Sequence, residues 1–182
     1  MSPETDREGD MRDSMNNEAI LEKLSADSGD TETGPAAAEK WTKFLIVEIG
    51  KERYGFYADQ IKEIVTDQPI YYVPFVPPYI KGFINRHGEP YTAFDLSLLF
   101  EKQGLDSRLF LVSRHGGDQL AFQISDVTEI LKVSEGELHS LSSMDDGESY
   151  FSGVLSREGA EDIFVLNIDS VVARLERDLG EG

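Results

Sequence analysis

The 182-residue chain repeats itself. A shift of 66 residues lays Phe44-Leu45-Ile46 on Phe110-Leu111-Val112, Gly50 on Gly116, Phe56 on Phe122 and Glu63-Ile64 on Glu129-Ile130, without a gap. A shift of 71 then lays Gly82 on Gly153, Arg86 on Arg157 and Gly88 on Gly159, and a shift of 72 lays Asp95-Leu96 on Asn167-Ile168. A unit of about 65 residues buries too little surface to be comfortably stable alone, so the two copies are expected to pack together and share apolar surface.

Each unit reads as mainly β. Residues 43–50 and 54–58, rich in β-branched and aromatic side chains, flank a polar break at Lys51-Glu52 and predict a hairpin. Asp59 followed by Ile61, Ile64 and Val65 at a spacing of three to four predicts a short helix there. Pro69, Pro74, Pro77 and Pro78 make the next stretch loop or edge strand, because proline cannot donate into a ladder. Residues 82–96 read as strand, turn over Arg86 to Glu89 and strand, with a helical turn from Leu96 to Phe100. About five short strands per unit close most economically as a pair of small β-barrels, which leaves no exposed edges. The expected half-barrels are 41–105 and 106–167, followed by an amphipathic helix over 168–179 carrying Val171, Val172 and Leu175 on one face.

Ahead of Trp41 the composition changes. The first 40 residues hold eleven acidic and four basic residues and few large apolar ones, which predicts a disordered acidic tail that folding does not need. Ile20, Leu21 and Leu24 are its one apolar cluster. The acidic start resembles neither a secretory signal nor an Arg-rich transit peptide, so the expected address is cytoplasmic. A formal charge of -18 repels phosphate backbones and anionic lipid, so nucleic acid and membrane surfaces are not expected partners.

No residues stand out as chemistry. Without cysteine there is no disulfide, thiolate nucleophile or sulfur-ligated metal. Phosphate-cradling glycine loops, nucleophile elbows and zincin motifs are missing from the sequence. His87, His115 and His139 fall in predicted turns or loops and suggest no metal centre, and Asp145-Asp146-Gly147-Glu148 lacks the alternating ligands of a calcium loop. The expectation is no catalytic residue, no cofactor and no metal. What the sequence offers instead is interaction surface. Tyr71, Tyr72, Phe75 and Tyr79 stand among prolines, either as exposed rings on a stiff backbone or as filling between the barrels. Glu63 is either a solvated carboxylate or a charged contact on a partner's rim.

The run over 44–64, then Val73-Pro74, Pro77-Pro78-Tyr79-Ile80-Lys81-Gly82-Phe83-Ile84-Asn85, a turn at Gly88 and Asp95-Leu96 is similar to the CheW family, the coupling proteins of bacterial chemotaxis arrays. The resemblance implies two intertwined five-stranded SH3-like β-barrels with short helices and a C-terminal helix. It implies a non-catalytic adaptor that joins the regulatory domain of a chemotaxis histidine kinase to the cytoplasmic tip of chemoreceptors, in the cytoplasm at membrane-associated arrays. It also implies a receptor groove between the barrels. The matching positions are Ile61, Glu63 and Ile64, together with Gly82, Phe83, Ile84, Asn85, Arg86, His87 and Gly88. Where the family signature has Leu-Arg, this chain has Arg86-His87. Neighbours along a strand point to opposite faces, so Arg86 is not expected to substitute for the missing arginine. Pro90 removes a ladder donor at the start of the next strand. These departures and the long tail suggest, as the alternative, a divergent paralogue that binds the kinase or array without normal receptor coupling, as localiser or inhibitor.

Overall fold

Aromatic and β-branched residues fill β1 (Trp41–Ile49) and β2 (Glu52–Tyr57), which pair antiparallel as the expected hairpin around a left-handed Gly50. The computed structural model describes residues 40–114, 119–141 and 150–180. The acidic tail up to residue 39, His115 and the Asp145 to Glu148 segment lie outside the described residues. After β2 a single 3-10 turn (Ala58–Gln60) leads into β3 (Ile61–Val65), and the predicted helix is therefore a strand. The physical reason is a bulge. Ile61 pairs with Ser113 and Glu63 with Val112, so Lys62 is an extra residue in the ladder, and the inward positions fall at 61 and 64 rather than at every second residue. A bulged strand thus imitates helical spacing.

The chain continues through β4 (Ile80–Arg86), β5 (Glu89–Asp95), helix α1 (Leu96–Leu99), β6 (Leu109–Ser113) and β7 (Leu120–Ile124). Then come β8 (Asp126–Ser134), β9 (Leu138–Ser140), β10 (Phe151–Leu155), β11 (Ile163–Leu166) and helix α2 (Ile168–Gly180). His139, expected in a loop, lies in β9. Asp95 caps α1 by accepting from the Leu98 amide at 3.3 Å, and Asn167, its equivalent in the repeat, accepts from the Ser170 amide at 3.3 Å.

The strands form a six-stranded sheet, β8-β1-β2-β11-β10-β9, and a five-stranded sheet, β3-β6-β7-β5-β4. Both have one order. The repeat relates β1 to β6, β2 to β7, β3 to β8, β4 to β10 and β5 to β11, and substituting these labels turns one sheet into the other. Each sheet thus takes strands from both stretches, so 41–105 and 106–167 are units of repetition and not of packing. Both sheets curl so that their edges approach each other. In the larger, β8 and β9 occupy opposite edges yet are separated by three residues of chain, which forces the sheet to curl. In the smaller, Glu63 of edge strand β3 meets Arg86 of the opposite edge strand β4. The two-barrel β fold therefore stands, with β9 as a sixth strand in one barrel where five were expected. In the other barrel that place holds only a bridge between Tyr71 and Phe83.

Each barrel has its own core: Phe44, Ile46, Val133, Leu155 and Val165 in the larger, Val65, Ile84, Tyr91, Phe110 and Val112 in the smaller. Phe56 and Phe122, equivalent in the repeat, touch each other at 5.7 Å between ring centroids. A residue that contacts its own equivalent lies on the pseudo-twofold axis, which places the shared apolar surface there.

Candidate functional site

The ten residues named from the resemblance fall into a supporting layer and a surface. Ile61, Ile64 and Ile84 are buried, Ile84 completely, and anchor β3 and β4 in the interior. Gly82 is also buried, at φ 130°, and a Cβ built there would stand 2.2 Å from the Tyr71 carbonyl oxygen. Only glycine permits this approach. It lets the Tyr71 amide donate to the Phe83 carbonyl at 2.7 Å and the Phe83 amide to the Tyr71 carbonyl at 2.9 Å, which lays the proline-rich loop along β4. These four residues shape the face without being available to a partner.

The surface consists of Glu63, Phe83, Asn85, Arg86, His87 and Gly88. The bulge at Lys62 turns Lys62 and Glu63 toward the same side, across the closure of the barrel. Lys62 Nζ donates to the Tyr91 hydroxyl at 2.8 Å and lies 5.4 Å from the centre of that ring. The bond to Tyr91 raises the lysine pKa further. Arg86 Nε and Nη2 both reach Glu63 Oε2, at 2.8 and 2.7 Å, which holds the guanidinium still more firmly in its charged form. Arg86 thus meets the strand β3 carboxylate, while its neighbour His87 stands at the turn. The barrel closure brings Glu63 to the face that Arg86 occupies. The side chain of Glu63 is 16% exposed, and its Oε1 is buried without a donor.

His87 and Gly88 form the two-residue turn between β4 and β5, both at positive φ (54° and 87°), as a type I′ turn requires. Asn85 Oδ1 accepts from the Gly88 amide at 3.0 Å. His87 stands exposed at the tip. Beside this hairpin the proline-rich loop presents Tyr71, 80%-exposed Tyr72 and fully exposed Phe75, next to partly exposed Phe83. Of the four aromatics in that run, Tyr79 alone is buried, so three are surface and one is filling. The rings among stiff prolines were legible in the sequence but not which of them are exposed, whereas the Lys62–Tyr91 contact had no sequence signal because it depends on the bulge. Among the described residues no cluster of His, Asp and Glu is disposed to hold a metal ion, and no helix is long and apolar enough to cross a membrane.

A family model described as the CheW-like domain matches residues 43–176. The chemotaxis protein CheW of Treponema pallidum is 24% identical over 150 residues, 78% of this chain and 88% of that protein. The chemotaxis protein CheW of Klebsiella aerogenes is 24% identical over 99 residues, 53% of this chain and 60% of that one. The match therefore spans somewhat less than two thirds of the Klebsiella protein's length. In fold, the scaffolding protein TtCheW from Thermoanaerobacter tengcongensis superposes with a TM-score of 0.62 at 19% identity, over 70% of this chain and 90% of that one. The matched segment takes in the described strands from Lys43 of β1 through β11 and most of helix α2, and the chain belongs to the CheW-like domain family.

Proposed function

We propose that this chain is the adaptor of a chemosensory array, coupling the cytoplasmic tip of chemoreceptors to the regulatory domain of a histidine kinase. Proteins of the family are non-catalytic, so its work is contact. The observation that carries the reading is the face around the β4–β5 hairpin, where an ion pair, an exposed turn and a row of exposed rings lie side by side. The polar part, Glu63, Asn85, Arg86 and His87, suits a receptor surface that offers hydrogen-bonding groups. The aromatic part, Tyr71, Tyr72 and Phe75, suits an apolar patch on the kinase, in an interface of standard size or smaller whose weak affinity array geometry makes effective.

Purified receptor-tip and kinase-domain fragments, titrated separately into the protein, test both halves. Tyr72→Ser with Phe75→Ser is expected to weaken kinase binding tenfold or more, about 1.4 kcal/mol, with little dependence on salt. Abolition of kinase binding by physiological salt alone contradicts an apolar contact. Arg86→Ala is expected to weaken receptor binding. His87→Arg, which restores the family's residue at its own position, is expected to tighten it by about 1 kcal/mol through a charge-assisted hydrogen bond. A specific observation favours a second reading: the place of that arginine is taken by an exposed imidazole at a turn tip. If kinase binding is intact and no receptor fragment binds, the chain is a paralogue that localises or inhibits the kinase.

A further inference from the structure

None of the ten residues above lines the cleft of about 600 Å³ that opens between α1, α2 and the start of β10. The cleft lies where the two repeats meet. The offset of 72 that pairs Asp95 with Asn167 also pairs Lys102 with Arg174, and the offset of 71 pairs Tyr79 with Tyr150; all four side chains line it. Its floor is a continuous aromatic surface. Phe151 lies 5.9 Å from Tyr54 in a stacked arrangement, 5.4 Å from Phe100 and 5.3 Å from Phe164, and Phe164 is 43% exposed.

Each cation on the walls carries its own counterion. Lys102 pairs with Glu52 and donates to the Tyr54 hydroxyl at 2.9 Å. Arg174 Nε donates to Asp178 Oδ2 at 2.8 Å, and the Tyr79 hydroxyl donates to the same oxygen at 2.8 Å. Glu101, at the mouth, is exposed and has no cation partner among the described residues. With Lys102 and Arg174 paired with Glu52 and Asp178, Glu101 is the one carboxylate of the lining without a cation partner among the described residues.

The backbone at Glu101 is unusual. Helix α1 ends in a Schellman motif, with the Glu101 amide on the Leu98 carbonyl at 3.1 Å and the Lys102 amide on the Ser97 carbonyl at 2.8 Å. This motif places the residue after the C-cap, here Glu101 at φ 58°, in the left-handed region where glycine is ordinarily found. A glutamate is held instead, in a conformation that costs stability.

From the aromatic floor, the volume and this carboxylate, we infer that the cleft docks a basic peptide segment of a partner protein, with an aromatic or branched aliphatic side chain as anchor and a Lys or Arg beside it meeting Glu101. The site is separate from the hairpin face and its test does not depend on the adaptor reading.

The probe is a short fluorescent peptide of Lys and Ser carrying one Phe and one Leu, titrated into the full-length chain. Two control peptides accompany it, one with Ala for Phe and Leu and one with Glu for Lys. Saturable binding of the first and not of the controls is expected. Phe164→Ser should weaken it about tenfold, and Glu101→Gly and Glu101→Gln each about two- to fivefold. Because glycine relieves the backbone, Glu101→Gly should at the same time leave the melting midpoint unchanged or raise it by about 2 °C, so that lost binding is not lost folding. The inference is overturned if the probe does not bind, if either control binds equally well, or if both Glu101 variants bind the probe as tightly as the wild type.

Discussion

Gly82 and Gly153 occupy the same place in the two repeats, on matching bulges, because Ile80/Gly82 in β4 and Phe151/Gly153 in β10 each skip one residue against the partner strand. Each admits a neighbouring backbone. At Gly153 the neighbour is the fully paired strand β9, and an added Cβ would meet the His139 carbonyl at 2.9 Å. At Gly82 it is the proline-rich loop, held by one bridge and approaching to 2.2 Å, with φ at 130° besides. One barrel is thus completed by a strand and the other by a loop that carries exposed rings. The same architectural position gave stability in one copy and a presenting surface in the other.

The largest effect expected from this difference is on stability. Gly82→Ala meets backbone that cannot yield and a φ that side chains avoid, and should cost more than about 3 kcal/mol. Gly153→Ala meets a carbonyl and the end of Leu138, and should cost about 1 to 2 kcal/mol. Urea unfolding of both variants decides it. A smaller loss at Gly82 than at Gly153 breaks the comparison.

The arginine pairs come next. Glu63 and Glu129 are equivalent in the repeat, and each is held by an arginine: Glu63 by Arg86 across the barrel closure, Glu129 by Arg53 across β1. Glu63 is the more enclosed, at 16% side-chain exposure against 44%. Removing Arg86 leaves a nearly buried carboxylate without its cation, a loss of about 2 kcal/mol, whereas Arg53→Ala should cost about 1 kcal/mol or less. A double-mutant cycle on each pair measures the coupling. Equal values would mean that burial at the closure does not matter.

Much of this comparison was legible in the chain itself. The offsets 66, 71 and 72 identify equivalent strands, caps and glycines, because a repeat preserved over aromatic and glycine positions preserves packing. Bulges were not legible. Lys62, which re-aims Glu63 and turns β3 into a false helix, is an ordinary residue whose role exists only against Val112 and Ser113 on another strand. Strand exchange between the repeats was hidden for the same reason, since periodicity states which face of a strand is buried but not which strand lies beside it. The cleft escaped because its walls come from six separated stretches of sequence.

Acid and alkali probe the seam between the repeats. Hydrogen bonds from Lys102 and Tyr54 hold the Glu52 carboxyl below the usual range, and bonds from Arg174 and Tyr79 do the same for Asp178. In the window below about pH 4.5 the unfolded chain then binds more protons than the folded one, so this stabilisation is complete above the unfolded carboxylate values and is lost as pH falls through the folded ones. Burial, reinforced at Tyr79 by the bond to Asp178, pushes the phenols of Tyr54 and Tyr79 up. The folded chain keeps these protons where the unfolded chain releases them, so stability is retained to about pH 10 and falls as pH rises toward the folded values. Melting curves of wild type and Tyr79→Phe across both limbs check this. The variant should flatten the alkaline limb, and an unchanged limb would remove Tyr79 from the account.

The smallest effect is at the tip of the β4–β5 hairpin, where neighbouring residues are predicted to respond in opposite directions. Arg86 is held by Glu63 and its loss destabilises, whereas His87 sits at φ 54° in the left-handed region, which Asn and Gly occupy more readily than histidine. With Gly88 already at the second turn position, His87→Asn creates the Asn-Gly pair that a type I′ turn most favours. The expected gain is about 0.5 kcal/mol, or a rise of about 1 to 2 °C in the melting midpoint for a domain of this size. A fall instead would show that the imidazole packs on the hairpin rather than standing free of it. The turn would then be a structural element of the barrel, and the receptor-facing role proposed for His87 would pass to Arg86 and Asn85.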